Sequence, residues 1–140
     1  MSWVVWALLS AVFAAATALF AKVGVENVDS NLATAIRTSV IVVFTWAIAL
    51  ATGRHGEIHS ISTKSWVFLV LSGLGTGASW LCYFRALQLG PASAVAPLDK
   101  LSVVLVIVGA WFFLGERLSA IQLGGASLIT IGAIVIALGS

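Results

Sequence analysis

Five apolar runs dominate the chain, at roughly Trp3–Ala21, Leu32–Thr52, Trp66–Leu89, Ala92–Leu114 and Ala120–Leu138. Each is close to the ~20 residues an α-helix needs to cross the ~30 Å hydrocarbon layer of a bilayer. Polar residues collect between the runs. The longest connection, Gly53 to Ser65, carries Arg54, His55, Glu57, His59 and Lys64, and such a stretch belongs in water. Trp3, Trp6, Trp46, Trp66 and Trp111 fall near the ends of runs, where interfacial aromatic rings sit. The pattern predicts an all-α, polytopic membrane protein, with one five-helix domain over residues 1–140 and no room for a soluble domain. The first run has no basic residue ahead of its apolar core, and further runs follow. It therefore reads as a mature membrane helix rather than a signal peptide.

Composition agrees with that pattern and narrows the chemistry. The chain is 61% hydrophobic and 9% charged, against about 25% charged in soluble domains. Its net charge of +2 is too small to point to nucleic acid. A single cysteine, Cys82, excludes an internal disulfide and any multi-cysteine metal site. No Gly-x-Ser-x-Gly, His-Glu-x-x-His or facing pair of carboxylates is present, so the chain is not expected to be an enzyme. His55 and His59 lack a third ligand in their Gly- and Ser-rich loop, and no metal or organic cofactor is expected. Gly73-x-Gly75-x-Gly77 follows no strand and lies inside an apolar run, which rejects a nucleotide loop.

Polar residues inside the runs carry the candidate chemistry. Arg37 lies one to two turns inside the second run. It either snorkels to the headgroups or contacts an anion or carboxylate in a cavity. In the third run Ser72, Thr76, Ser79 and Tyr83 share one helical face. Their hydroxyls either bond back to their own helix or, with Trp80, line a polar pocket. Gly73 and Gly77 there, and Gly125 and Gly132 in the last run, have the small-residue spacing of helix packing seams. Alanines at 7, 11, 15 and 18 form a similar stripe on the first run. Arg85 suits a helix C-terminus or, equally, a contact to substrate, and Glu116 and Arg117 suit a hydrated turn with a local ion pair.

The stretch from Gln88 to Ser102 concentrates the unusual features. It holds both prolines, Pro91 and Pro97, and the adjacent pair Asp99 and Lys100 just before the apolar run Leu101–Leu114. A charge at depth in a bilayer costs about 2.5–3.5 kcal/mol on insertion scales, so such residues are rarely idle. Asp99 and Lys100 alternatively mark a helix start paired with headgroups. Adjacent helical residues point about 100° apart, which weakens a simple Asp–Lys pair.

From Tyr83 to Ser102 the chain reads Y-F-R-A-L-Q-L-G-P-A-S-A-V-A-P-L-D-K-L-S, followed by L-G-E-R-L at Leu114–Leu118 and a glycine-rich last run. In these segments and their spacing it resembles an EamA domain of the drug/metabolite transporter superfamily, in a single-domain, five-helix form. The resemblance implies half of a ten-helix, inverted-repeat membrane transporter, and export of a metabolite or amino-acid-like solute. Most relatives carry two such domains in opposite orientations; this chain shows one. With five spans, Arg54, Lys64 and Arg117 fall on one side and Lys22, Arg37, Arg85 and Lys100 on or nearest the other. Three against four is almost no orientation bias. Dual topology and an antiparallel homodimer are therefore expected, with a single orientation, in a parallel dimer or beside a separate partner subunit, as the main rival; the resemblance implies a bacterial or archaeal inner membrane.

In that reading the pocket lies between the third and fourth helices, with contributions from the first two. Pro91 and Pro97 bend the fourth helix. Lys100 holds an anionic group or acts as a protonation switch, and Asp99 pairs with a base or accepts a coupling proton. Trp80 and Tyr83 supply aromatic walls, and Ser79 and Ser102 hydrogen bonds. Two rivals remain. One is a non-transporting membrane subunit that stabilises a partner. The other is a small multidrug resistance-like cation exporter, disfavoured because the first helix has no acid before Glu26.

Overall fold

The apolar runs fold as helices throughout the computed structural model, which describes residues 2–139. They are α1 (Trp3–Gly24), α2 (Ser30–Ala51), α3 (Thr63–Leu89), α4 (Ala92–Asp99), α5 (Ser102–Leu114) and α6 (Ala120–Leu138). Together α4 and α5 make the fourth spanning segment, Ala92–Leu114, so five segments have the length and apolarity to cross a membrane. No more than 11% of the most apolar window of any segment is buried within the chain. Surfaces of this kind are covered by lipid or by other protein.

The helix ends follow from local chemistry. Asp29 precedes α2, and its carboxylate accepts from the Asn31 and Leu32 amides at 2.9 and 3.1 Å. This cap starts the helix at Ser30, two residues before the apolar run begins at Leu32. Ser119 and Gln122 form a reciprocal capping box at the start of α6. Asp29→Ala is expected to cost about 1 kcal/mol, the usual worth of such a cap. Thermal unfolding of the intact chain in detergent measures it, with Asp29→Asn as the variant that retains the acceptor. Gly115 closes α5 at φ 68°, a left-handed turn that suits glycine.

Two connections differ from their sequence-based reading. Residues Arg54–Ser60 form a 3-10 helix rather than an irregular loop. It packs against α2, and its Arg54 and Glu57 make an ion pair. Glu116 and Arg117 make no such pair among the described residues; the turn is instead closed by the Glu116 amide donating to the Ala110 carbonyl at 3.2 Å.

The fourth spanning segment is broken, not merely bent. Pro97 lies inside α4, where it lacks an amide donor and releases the Ser93 carbonyl. The interruption falls downstream, at Lys100–Leu101. Lys100 donates to Pro97 and Leu101 to Leu98, while Val103 donates to Lys100 and Val104 to Leu101, all at 3.0–3.1 Å. These i→i−3 bonds tighten the chain into a 3-10 turn. The physical reason is saturation: an open kink in lipid would leave amides without acceptors.

The chain divides into two compact units. One comprises the residues up to Lys22 and those from Leu89 onward; the other is Val23–Gln88. In the first, α6 packs on α4 and α5. Its buried small residues are Ala126 and Ala133, with Ala94 on α4. This seam runs one residue beside the expected one, because α4 meets the alanine face. A methyl group placed on Gly125 or Gly132 would meet nothing within 4 Å among the described residues, and the same holds for Gly73 and Gly77. Of the expected alanine stripe on α1, Ala18 is buried while Ala7, Ala11 and Ala15 are exposed. In the second unit Val25, Phe84 and Leu87 are buried apolar residues, and Ser30 and Thr34 are buried polar ones.

Candidate functional site

Within the Val23–Gln88 unit, Arg37 meets an aromatic surface. Trp80 and Phe84 are four residues apart on α3 and therefore share a face. The Arg37 guanidinium carbon lies 4.1 Å from the Trp80 ring centroid and 5.3 Å from that of Phe84. Both distances are within cation–π range. Tyr83 is near enough to interact electrostatically with the same guanidinium. Ser79, on the face adjoining Trp80, is exposed.

Arg37 lies away from the end of its helix. It lies seven residues into α2, or ~10 Å along the axis. Trp80 is nine residues from the end of α3 and Phe84 five, which is ~13 and ~8 Å. Those two helix ends are on one side, because the Gln88 amide reaches the connection preceding α2. A snorkelling arginine would lean toward that side. The guanidinium is instead nearest the deeper ring, that of Trp80.

The hydroxyls around it largely serve their own helices. Thr34, Thr38, Ser39 and Thr45 on α2 donate to the carbonyls of Ser30, Thr34, Ala35 and Ile41. On α3, Thr76 donates to the Ser72 carbonyl at 2.9 Å. This back-bonding commits the Thr76 donor to its own helix.

Arg85 and Gln88, the second without an assigned role in the sequence, anchor the end of α3. Arg85 Nη1 donates to Gln88 Oε1 at 3.1 Å, which orients the amide. Gln88 Nε2 then donates to the carbonyls of Val28 at 2.6 Å and Val25 at 3.4 Å. The i, i+3 spacing of Arg85 and Gln88 was the available signal. Phe84 was likewise readable as the residue one turn from Trp80.

In the other unit the expected residues cluster at the helix break. Asp99 ends α4, Lys100 occupies the tightened turn, and Ser102 opens α5. Lys100 Nζ lies 3.4 Å from Asp99 Oδ2, with the two side chains 57% and 37% exposed. The four-carbon lysine stem spans the angle that separates neighbouring helical residues, so the pair forms. At that distance and exposure it is a weak link. Ser102 is exposed. Pro91 immediately precedes α4 in an extended conformation. Nearby, Lys22 Nζ donates to the Gly90 carbonyl at 2.9 Å, tying the end of α1 to the α3–α4 junction. Asp99 and Lys100 thus belong to one unit, with Arg37, Trp80, Tyr83 and Ser79 in the other.

Among the described residues no cluster of three or more His, Cys, Asp or Glu side chains could hold a metal ion. No solved structure matches the chain. Residues 1–138 match the EamA-like transporter family. An uncharacterized transporter in the cobO 3′ region of Sinorhizobium sp is 54% identical over 136 residues, covering 97% of this chain and 96% of that protein. The uncharacterized transporter YxxF of Bacillus subtilis strain 168 is 27% identical over 132 residues, covering 94% of this chain but 41% of that protein. The family match over nearly the whole chain and the five apolar spans agree: this protein belongs to the EamA-like transporter family and is a multi-pass membrane transporter.

Proposed function

We propose that the protein is a secondary-active transporter that exports a small metabolite or amino-acid-like solute across a bacterial inner membrane as an antiparallel homodimer. The observation that carries this reading is the relation of lengths. One chain of this size aligns with nearly all of the Sinorhizobium relative but with 41% of the Bacillus one. The longer relative has room for a second domain, and two opposed copies of a five-span chain reproduce an inverted repeat. The near balance of Lys and Arg between the two sides supports insertion in both orientations. The uncovered glycines on α3 and α6 supply faces where backbones of two copies can approach closely.

In this reading Lys100, Asp99 and Ser102 are the candidate solute contacts of one unit, and Arg37, Trp80, Tyr83 and Ser79 are those of the other, each taken by itself. Lys100 holds an anionic group or exchanges a coupling proton with Asp99. Pro91 and Pro97, both upstream of the α4–α5 break, shape a hinge there.

Labelling of the carboxyl terminus tests the topology. With Cys82 replaced and a cysteine at Ser140, an impermeant reagent is applied to intact and then opened cells. Comparable labelling from both sides is expected, and labelling from one side alone sinks the antiparallel dimer. The double variant Gly125→Leu/Gly132→Leu checks the interface by crosslinking in membranes. Loss of the dimer with unchanged helix content is expected, because a Cβ at either position meets nothing within 4 Å among the described residues. A dimer that survives removes α6 from the interface.

A further inference from the structure

Arg37 is a cation within a spanning segment that has no resident anion. The chain has five acids in all. Glu26, Asp29, Glu57 and Glu116 lie in connections outside the spanning segments. Asp99, the remaining one, is paired with Lys100. Among the described residues Arg37 takes part in neither ion pair; its partners are the rings of Trp80 and Phe84. A charge costs about 2.5–3.5 kcal/mol at the centre of a span and less toward its ends. A cation–π contact returns about 0.5–2 kcal/mol of that, depending on desolvation. These contacts leave the remainder uncompensated within the chain.

The arrangement suits one class of anion. A guanidinium stacked on a ring uses its face for the aromatic contact and keeps its N–H donors at its edge. That edge matches the two oxygens of a carboxylate. Trp80 and Phe84 beside it offer apolar surface to the rest of a small organic acid. Lipid headgroups also carry oxyanions. Arg37, however, is closer to the deeper ring than to the one nearer the helix ends, which favours a solute within the protein over a headgroup at its rim.

We infer that Arg37, seated on Trp80 and Phe84, is a carboxylate-binding site, and that the transported solute is a small organic acid or a zwitterion that presents its carboxylate there. The inference rests on the transporter reading and names its substrate class.

The test is equilibrium binding to the full chain in phosphatidylcholine nanodiscs, read by tryptophan emission. Benzoate is the probe and benzamide its uncharged match. Saturable quenching by benzoate, absent with benzamide and absent in Trp80→Phe, is expected. Arg37→Gln is expected to weaken benzoate binding about ten-fold or more, the loss of one charge-assisted contact, with Arg37→Lys intermediate. Equal responses to benzoate and benzamide in the unmodified protein overturn the inference, whatever the variants do. So does loss of the benzoate response when phosphatidylglycerol is included in the disc, which assigns the site to lipid. Carboxyl-terminal labelling is read separately, so a parallel topology would overturn the dimer model and leave this binding curve unchanged.

Discussion

Leu87→Ala is expected to destabilise the protein by about 2–5 kcal/mol, the range for emptying a filled leucine site. Leu87 has no exposed surface at all, in a chain whose large apolar residues are mostly exposed. It lies on the last turn of α3, one residue before Gln88, whose amide clasps the Val25 and Val28 carbonyls. That connection is held by hydrogen bonds, so it collapses little into a cavity, and the cost belongs toward the upper half of the range. Leu89, two residues on and 74% exposed, provides the control. Leu89→Ala is expected to change stability by no more than about 0.5 kcal/mol. Urea or thermal unfolding of the intact chain in one detergent compares the two. Similar shifts for both would show that α3 is not held at this end by packing within the chain.

Lys100→Met is expected to lower the transport rate about ten- to hundred-fold, equivalent to losing about 1.5–3 kcal/mol of a hydrogen bond to a charged group. Lys100 occupies the 3-10 turn between α4 and α5, where the helix is already interrupted and its side chain is half-exposed. Its partner Asp99 is linked at 3.4 Å, loosely enough to be displaced by a solute or a proton. Asp99→Asn is expected to remove proton coupling while retaining exchange down a concentration gradient. Arg117→Met, in the exposed turn before α6, is the control and is expected to leave transport unchanged. Rates are measured in proteoliposomes with the first carboxylate solute that the unmodified protein carries. Full activity of Lys100→Met in a folded protein removes the break from the mechanism.

How much of this was legible in the sequence differs by element. The spans α1, α3 and α6 follow the apolar runs closely, because a lipid-exposed helix is specified by length and hydropathy, both local properties. The start of α2 moved to Ser30 through the Asp29 cap, a signal present in the sequence but hidden by reading apolarity alone. The fourth run was readable as one span, with Pro97 as a warning. Proline statistics place the disturbance upstream, whereas saturation of the amides placed it at Lys100–Leu101.

The candidate site was legible as residue types but not as partnerships. Arg37, Trp80 and Tyr83 stood out as polar or aromatic positions inside apolar runs. That Arg37 rests on Trp80 and Phe84 depends on a contact across more than forty positions of sequence, which no local pattern encodes. The same holds for Gln88 reaching back to Val28, and for Lys22 bonding to Gly90. Small residues divide in a similar way. Spacing alone could not tell Gly125 and Gly132 from Ala126 and Ala133, because both pairs recur every seven residues. Only the packing of α6 on α4 decided that the alanines are buried and the glycines left open. The sequence by itself thus determined the class, the number of spans and the family, since bilayer solvation acts residue by residue. The tertiary structure decided which charge is partnered, where the fourth span breaks and which small-residue face remains uncovered, since those depend on contacts between segments distant in the chain.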